Sequence, residues 1–422
     1  MKNDVVVVGG GLAGITAALD LAAAGRKVTL LESRPRLGGA TFSVERDGMW
    51  VDNGQHVFLR CCTAYRALLA RIGATEKTEL QQRLAIPVLR PGGRISWLRR
   101  NDLPAPLHLG GSILRFGPLP PADRLRLLPA LLALRKLSLD DPRLDEQTFG
   151  EWLQRHGQRR SSFAALWDLI ALPTLNLDSE RASLALAAMV FKVGLLEDRG
   201  ASDVGYATVP LQQLHGELAE NALAAAGVDV QVKTRVRTLD EVDAKTTVLA
   251  VPHDEAADLL PEGALAPGVD PRSLGVSPIV NLHVVYDRQV TPHAFAAAVD
   301  SPVQWVFDRT ASARVRDGQY LAVSLSGADG FDEKTSDELR DAFLPALADV
   351  FPEAARAEVL SFFVTREPRA TFRGVPGTAH HRPGPVTNVP GLFLAGAWTN
   401  TGWPATMESA VRSGHAAAEA AR

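Results

Sequence analysis

The run Gly9-Gly10-Gly11-Leu12-Ala13-Gly14 contains the spacing G-x-G-x-x-G, and Glu32 follows Gly14 by 18 residues. Each glycine in that spacing has a physical task. Gly9 allows a tight turn, Gly11 lets the backbone approach a pyrophosphate, and Gly14 permits a helix to pack closely on a strand. A helix starting at Leu12 offers free N–H groups and a positive dipole end to phosphates. A carboxylate at Glu32 accepts ribose hydroxyls. The glycines alone are a weak signal, but their surroundings agree with it. Asp4 to Val8 reads as a buried β-branched strand. Ile15, Ala18, Leu19 and Ala22 share one helix face, Gly25 stops that helix, and Lys27 to Leu31 reads as a second strand. This is a βαβ unit built for dinucleotide binding.

The next residues separate FAD from NAD. Glu32-Ser33-Arg34-Pro35-Arg36-Leu37-Gly38-Gly39 resembles the E-x-R-x-x-x-G-G run of the FAD-linked amine oxidase and phytoene desaturase superfamily. The resemblance implies that Ser33, Arg34, Gly38, Gly39 and Ala40 extend the phosphate cradle towards a flavin. Many members carry an arginine after the glycine pair; Ala40 stands there in this chain. Asp52-Asn53-Gly54-Gln55-His56-Val57-Phe58 is similar to the acid-x-Gly-x-His-hydrophobic-Phe segment of plant-type carotene desaturases. That likeness implies that Gly54, Gln55 and His56 lie beside the flavin. His56 has two readings, a role at the substrate or a backbone hydrogen bond. Val228 to Leu239 reads as two short strands or one bent strand, and the resemblance implies a backbone contact from Val236 to the adenine.

Near the C-terminus, Gly391 to Gly396 reads as a strand running into a turn, followed by Ala397 to Gly414. It resembles the closing flavin motif of the superfamily, with Gly396, Thr406 and Met407 at the cofactor. Thr406 is the expected N-cap of a helix whose positive end stabilises negative charge on reduced flavin. No cysteine lies nearby, so the FAD is expected to be non-covalent. The two cysteines, Cys61 and Cys62, are adjacent and build no zinc site.

These motifs are spread along the chain, so the expected fold is α/β. A Rossmann-like FAD-binding domain (1–80, 205–270 and 385–422) is interleaved with an α+β substrate domain (81–204 and 271–384). Within the latter, Val280 to Tyr286, Val303 to Phe307 and Gln319 to Ser326 read as antiparallel strands. Pro173 is expected to break or kink a helical stretch from Gln147 to Leu186.

The 422 residues carry a net charge of -3, which gives no sign of nucleic acid as a general partner. Cysteine usage fits a cytoplasmic protein. No signal peptide is visible and no stretch is apolar enough to span a membrane. Arg83 to Lys136 differs from the rest, with ten basic and two acidic residues interleaved with leucines and Trp97. That mixture suits peripheral contact with an anionic bilayer, expected at the inner face of the plasma membrane.

Taken together, Asp52 to His56, Ala171 to Asn176, His381 to Pro385 and Gly396 to Glu408 resemble the hydroxysqualene dehydroxylase family of hopanoid and squalene biosynthesis. Arg60 departs from it, standing where a glycine is commoner. The resemblance implies a lipophilic C30 isoprenoid substrate and the reaction hydroxysqualene plus reduced FAD to squalene, water and oxidised FAD. Loss of the protonated hydroxyl leaves an allylic cation, which hydride from flavin N5 quenches. His56 and Glu408 are the candidate proton donors. There is no second nucleotide fingerprint, so an unidentified electron donor must reduce the flavin. Three alternatives are an oxidative polyisoprenoid desaturase, an amine oxidase using Lys192, and a prenyl-lipid carrier without flavin.

Overall fold

The computed structural model describes residues 3–422. Five parallel strands form the first sheet, in the spatial order Asp229–Gln231, Val28–Leu31, Asn3–Val8, Ala244–Leu249, Leu392–Leu394. Val5, Val7, Leu30, Val248 and Leu394 are buried, as expected of a parallel sheet covered on both faces. The helix Leu12–Ala23 follows the central strand, and the helix Met407–Ala420 packs across it. Gly414 makes that crossing possible: a Cβ there would lie 2.4 Å from the Ala13 carbonyl oxygen.

The second sheet has seven strands, in the order Val359–Thr371, Ser277–Tyr286, Gln319–Ser326, Trp305–Asp308, Phe295–Ala298, Ala85–Arg90, Arg94–Arg99. It is antiparallel except between Phe295–Ala298 and Ala85–Arg90. The helix Ser336–Val350 covers part of it, started by a capping box between Thr335 and Glu338. A three-stranded sheet of Val57–Leu59, Val204–Ala207 and Thr78–Leu80 ties the segment after His56 to the middle of the chain.

Two local expectations change. Between Val228 and Leu239 only Asp229–Gln231 is a strand. Beyond it the chain leaves the sheet, with the N–H groups of Lys233 and Thr234 bonded to the carbonyls of Arg34 and Glu32. The helix Asp168–Leu175 runs through Pro173 and stops at Asn176, whose φ is 52°. Asn176 sets this stop because its side chain is spoken for. Its amide donates to the Ser277 carbonyl at 2.9 Å and its oxygen accepts the Gly327 N–H at 2.6 Å, pinning the helix end to the large sheet.

Candidate active site

The glycines at the N-terminal turn are packed to their limit. A Cβ on Gly9 would lie 2.3 Å from the Ala250 carbonyl oxygen, and one on Gly14 1.9 Å from the Gly9 oxygen. Gly39, at φ 58°, lies against Gly11, where its Cβ would sit 2.7 Å from Gly11 Cα. The loop Gly38-Gly39 therefore closes over Gly11, and the Gly38 N–H bonds to the Gly10 carbonyl at 2.9 Å. Gly11 caps the helix Leu12–Ala23 without any side chain, which leaves the N–H groups of Leu12 and Ala13 facing the cradle. Glu32 is buried at the end of its strand. It accepts the Gly10 N–H at 2.7 Å and the Arg34 N–H at 2.6 Å, while Ser33 Oγ donates to it at 3.2 Å. Its carboxylate has acceptor capacity left for a diol. Ser33, Arg34 and Ala40 are exposed on this loop. Arg36 turns inward, lying 3.5 Å over the Phe42 ring and donating to the Gly39 carbonyl. Val236 stands two residues beyond Thr234, in the loop that Lys233 and Thr234 bond to the Arg34 and Glu32 carbonyls.

At the other end of the chain, Thr406 caps its helix by accepting the Ser409 N–H at 3.2 Å. Gly396, at φ 146°, turns under Trp398, and its N–H bonds to Ser413 Oγ at 2.8 Å. Arg382, from His-Arg-Pro-Gly-Pro, is buried and donates to the carbonyls of Trp398, Thr399 and Trp403, which shapes the closing loop. Burial lowers its pKa to about 10, still far above neutrality.

The segment Asp52 to His56 lies where the two sheets meet. Asp52 accepts Ser43 Oγ at 2.6 Å and the Leu211 N–H at 3.1 Å on one oxygen, and Arg309 at 2.7 Å on the other. Asn53 bonds to the Ala40 carbonyl at 2.9 Å and to Glu367 at 3.3 Å. The Asn53 carbonyl accepts the Asn281 amide at 3.0 Å. A small, partly open cleft lies beside His56, lined by Tyr206, Leu211, Phe307 and Arg309. The His56 Nδ1 lies 3.0 Å from the Gly54 carbonyl. A carbonyl only accepts, so Nδ1 carries the proton and Nε2 is left as an acceptor. Burial holds the imidazole below its usual range, against the opposing pull of the Gly54 carbonyl and Asp52. His56 is thus neutral near pH 7, with its backbone hydrogen bond and a free Nε2 both present.

Glu408, a candidate proton donor from the sequence, has both carboxylate oxygens engaged by protein partners. It is buried, accepts the N–H groups of Ala64 and Tyr65 at 3.1 and 2.7 Å, and pairs with Arg412 at 2.7 Å. The two oxygens cap the helix Thr63–Arg71, and Oε1 also carries the Arg412 guanidinium. Lys192 is also occupied elsewhere, its ammonium donating to the Leu137 carbonyl at 2.7 Å. Arg60 pairs with the buried Asp203 at 2.9 Å. Sequence reasoning missed Arg309, Asn281 and Glu367, none of which sits in a local motif. Glu367 is half-buried, and burial raises its carboxyl above the usual range, opposed by Asn53 and Arg36.

Several buried polar atoms of this region lack a protein partner: Gln55 Nε2, Gln212 Oε1 and Asn281 Oδ1. Buried polar groups are normally paired, so unpaired ones converging with a glycine cradle fit a polar ligand with donors and acceptors, such as a dinucleotide and its ring system. The family of flavin containing amine oxidoreductases matches residues 12–422. The chain belongs to that family. It is an FAD-dependent oxidoreductase with a Rossmann-like flavin domain and an α+β substrate domain. Relatives within reach include hydroxysqualene dehydroxylase of Rhodopseudomonas palustris, 28% identical over 99% of this chain and 98% of that protein. A probable ζ-carotene desaturase of Synechococcus elongatus is 25% identical over 99% and 98%. Among solved structures, cyclohexylamine oxidase from Brevibacterium oxydans IH-35A superposes with a TM-score of 0.74 at 20% identity, covering 100% of this chain and 99% of that one. At that identity the likeness speaks for the fold alone. No group of metal-ligating side chains occurs among the described residues.

Proposed function

We propose that this enzyme reductively removes the hydroxyl of a long isoprenoid alcohol, hydroxysqualene, to give squalene and water. The observation that carries the reading is the end-to-end similarity to hydroxysqualene dehydroxylases, from Rhodopseudomonas palustris and from Sinorhizobium fredii at 27% identity over 100% of this chain. When bound, reduced FAD supplies the hydride that replaces the departing hydroxyl. The Gly9–Gly14 turn, Gly38-Gly39 and Glu32 would hold its dinucleotide part, and Gly396, Thr406 and Met407 would stand at its ring.

The chain's own residues then have separable tasks. His56 Nε2 accepts the substrate O–H and orients it. Glu367, which accepts the amide of Asn53 next to Gly54 and is half-buried, is the proton donor in this reading. The proton passes to the hydroxyl oxygen, the C–O bond breaks, and water leaves. Phe307 and Leu211 give the cleft beside His56 apolar walls, which disfavour water next to the allylic cation. The electron donor is a separate partner.

A second reading, oxidative desaturation of a polyisoprenoid, is favoured by the similarity to ζ-carotene and phytoene desaturases over nearly the whole chain. An anaerobic single turnover separates the two. Pre-reduced enzyme mixed with hydroxysqualene in detergent is expected to regain oxidised-flavin absorbance while squalene is extracted. No reoxidation, with oxidised enzyme instead bleached by squalene or phytoene, would reverse the direction of hydride transfer.

A further inference from the structure

The basic segment read from the sequence folds into the edge strand Arg94–Arg99, the short helix Gly110–Leu114 and the helix Pro121–Arg135. The long helix has two faces. Leu127, Ala130 and Leu134 are fully buried in the core of the substrate domain. Leu125, Leu128 and Leu132, spaced i, i+3, i+7, form a stripe exposed at 71%, 49% and 42%. The stripe is extended by Leu114 at 60% and, on the preceding loop, by Leu103 and Leu107 at 51% and 55%. These pieces are stitched together. Arg124 donates to the Leu114 carbonyl at 2.7 Å, Arg135 reaches the Ala105 carbonyl at 3.4 Å, and Ser112 Oγ donates to the Trp97 carbonyl at 2.5 Å.

Contiguous exposed apolar surface marks an interaction site. The charge around it selects the partner. Arg115, Arg135 and Lys136 are exposed. Of the two acids in this stretch, Asp123 is buried with Arg126 and Asp102 is paired with Arg83. Exposed cations beside exposed leucines fit a surface that is anionic outside and apolar beneath. No described helix is long and apolar enough to cross a membrane. We infer that the leucine stripe of Pro121–Arg135, with Leu103, Leu107 and Leu114, docks this enzyme onto the surface of an anionic lipid bilayer. The inference does not depend on the reaction proposed above, but it places a lipid source against the substrate domain.

The test uses the FAD-loaded full chain and sedimentation with vesicles of phosphatidylcholine, with or without phosphatidylglycerol. The protein is expected to pellet with the mixed vesicles, and much less with phosphatidylcholine alone or at high salt. The variant Leu125→Ser/Leu128→Ser/Leu132→Ser is expected to bind about 100-fold more weakly. Arg115→Glu/Arg135→Glu/Lys136→Glu should lose the preference for anionic lipid. Flavin content, and turnover of substrate supplied in detergent, should be unchanged in both variants. Wild-type protein that stays in the supernatant, or a leucine variant that binds as well, would overturn the inference. So would a wild-type dimer that the leucine variant converts to monomers, since a second copy would then cover the stripe. Loss of turnover on every substrate tried, with vesicle binding intact, would count against the reaction and leave the docking face standing.

Discussion

Arg309 donates to Asp52 at 2.7 Å, and both side chains are more than nine-tenths buried. The pair joins the Asp52–His56 segment to the residue following the strand Trp305–Asp308 of the large sheet, and Arg309 also holds the Ala207 carbonyl at 2.8 Å. Removing Arg309 would strand a buried carboxylate. Arg309→Met is expected to lower stability by about 3–5 kcal/mol and to reduce bound flavin. Asp52→Asn/Arg309→Met should recover part of that loss, because neither member is then left charged alone. Thermal melts and the flavin-to-protein absorbance ratio read both effects.

The glycine contacts make a sharp comparison. Gly14→Ala would drive a Cβ into the Gly9 carbonyl oxygen, and Gly39→Ala would combine a left-handed φ with contact on Gly11. Both are expected to abolish flavin retention. Gly25 also has a positive φ, 81°, but nothing lies within 4 Å of its Cβ. Gly25→Ala should cost about 1 kcal/mol and leave flavin binding intact. Equal flavin content in all three purified variants would refute the cradle.

Glu408 should behave as a cap. Glu408→Gln leaves one of the Ala64 and Tyr65 N–H groups unsatisfied and weakens the Arg412 pair, a loss of about 1–3 kcal/mol. Turnover per bound flavin should stay within a factor of about two, since no proton is moved there. A collapse of turnover at unchanged melting temperature would return Glu408 to the chemistry.

Glu367 and His56 should fail differently. Glu367→Gln is expected to slow turnover by about 10²- to 10⁴-fold. The wild-type rate should decline as pH rises through the elevated pKa of this carboxyl, and that limb should vanish in the variant. His56→Ala should chiefly weaken substrate binding, seen in KM. Full turnover in His56→Ala with normal flavin would remove His56 from the site.

Acid should destabilise the fold through buried histidines. His215, hydrogen-bonded to Tyr65 at 2.8 Å, and His283, between Tyr320 and Thr365, are each pushed down to about 3 by burial. An unfolded chain takes up protons at these groups near pH 6.5, and the folded chain does so only near 3. Their contribution is therefore fully present above pH 6.5 and is lost as pH falls towards 3. The slope approaches about 2.7 kcal/mol per pH unit for the two. Urea melts between pH 7 and 4.5 should show it, and His283→Gln should flatten it.

What was legible in the sequence was local. The βαβ turn, the Glu32 strand end, the Thr406 cap and the strands expected at Val280 to Tyr286 and Gln319 to Ser326 follow from spacing, capping chemistry and β-branched runs. In each, the deciding interaction lies within a turn or along one strand. The departures have a common origin in contacts between distant parts of the chain. The helix holding Pro173 ends at Asn176, which is anchored to Ser277, 101 residues away. Glu408 looked like a free acid beside a glycine-rich loop, yet its partner Tyr65 is 343 residues away in sequence. Asn53 meets Glu367 across 314 residues and Asn281 across 228. No periodicity or motif encodes such pairs. The sequence by itself determined that a dinucleotide would be held, because backbone approach to phosphate requires glycine at set positions. Only the tertiary structure decided which carboxyl is spent on a helix cap and which is lifted towards protonation, because desolvation and partner geometry exist only once the two sheets have met.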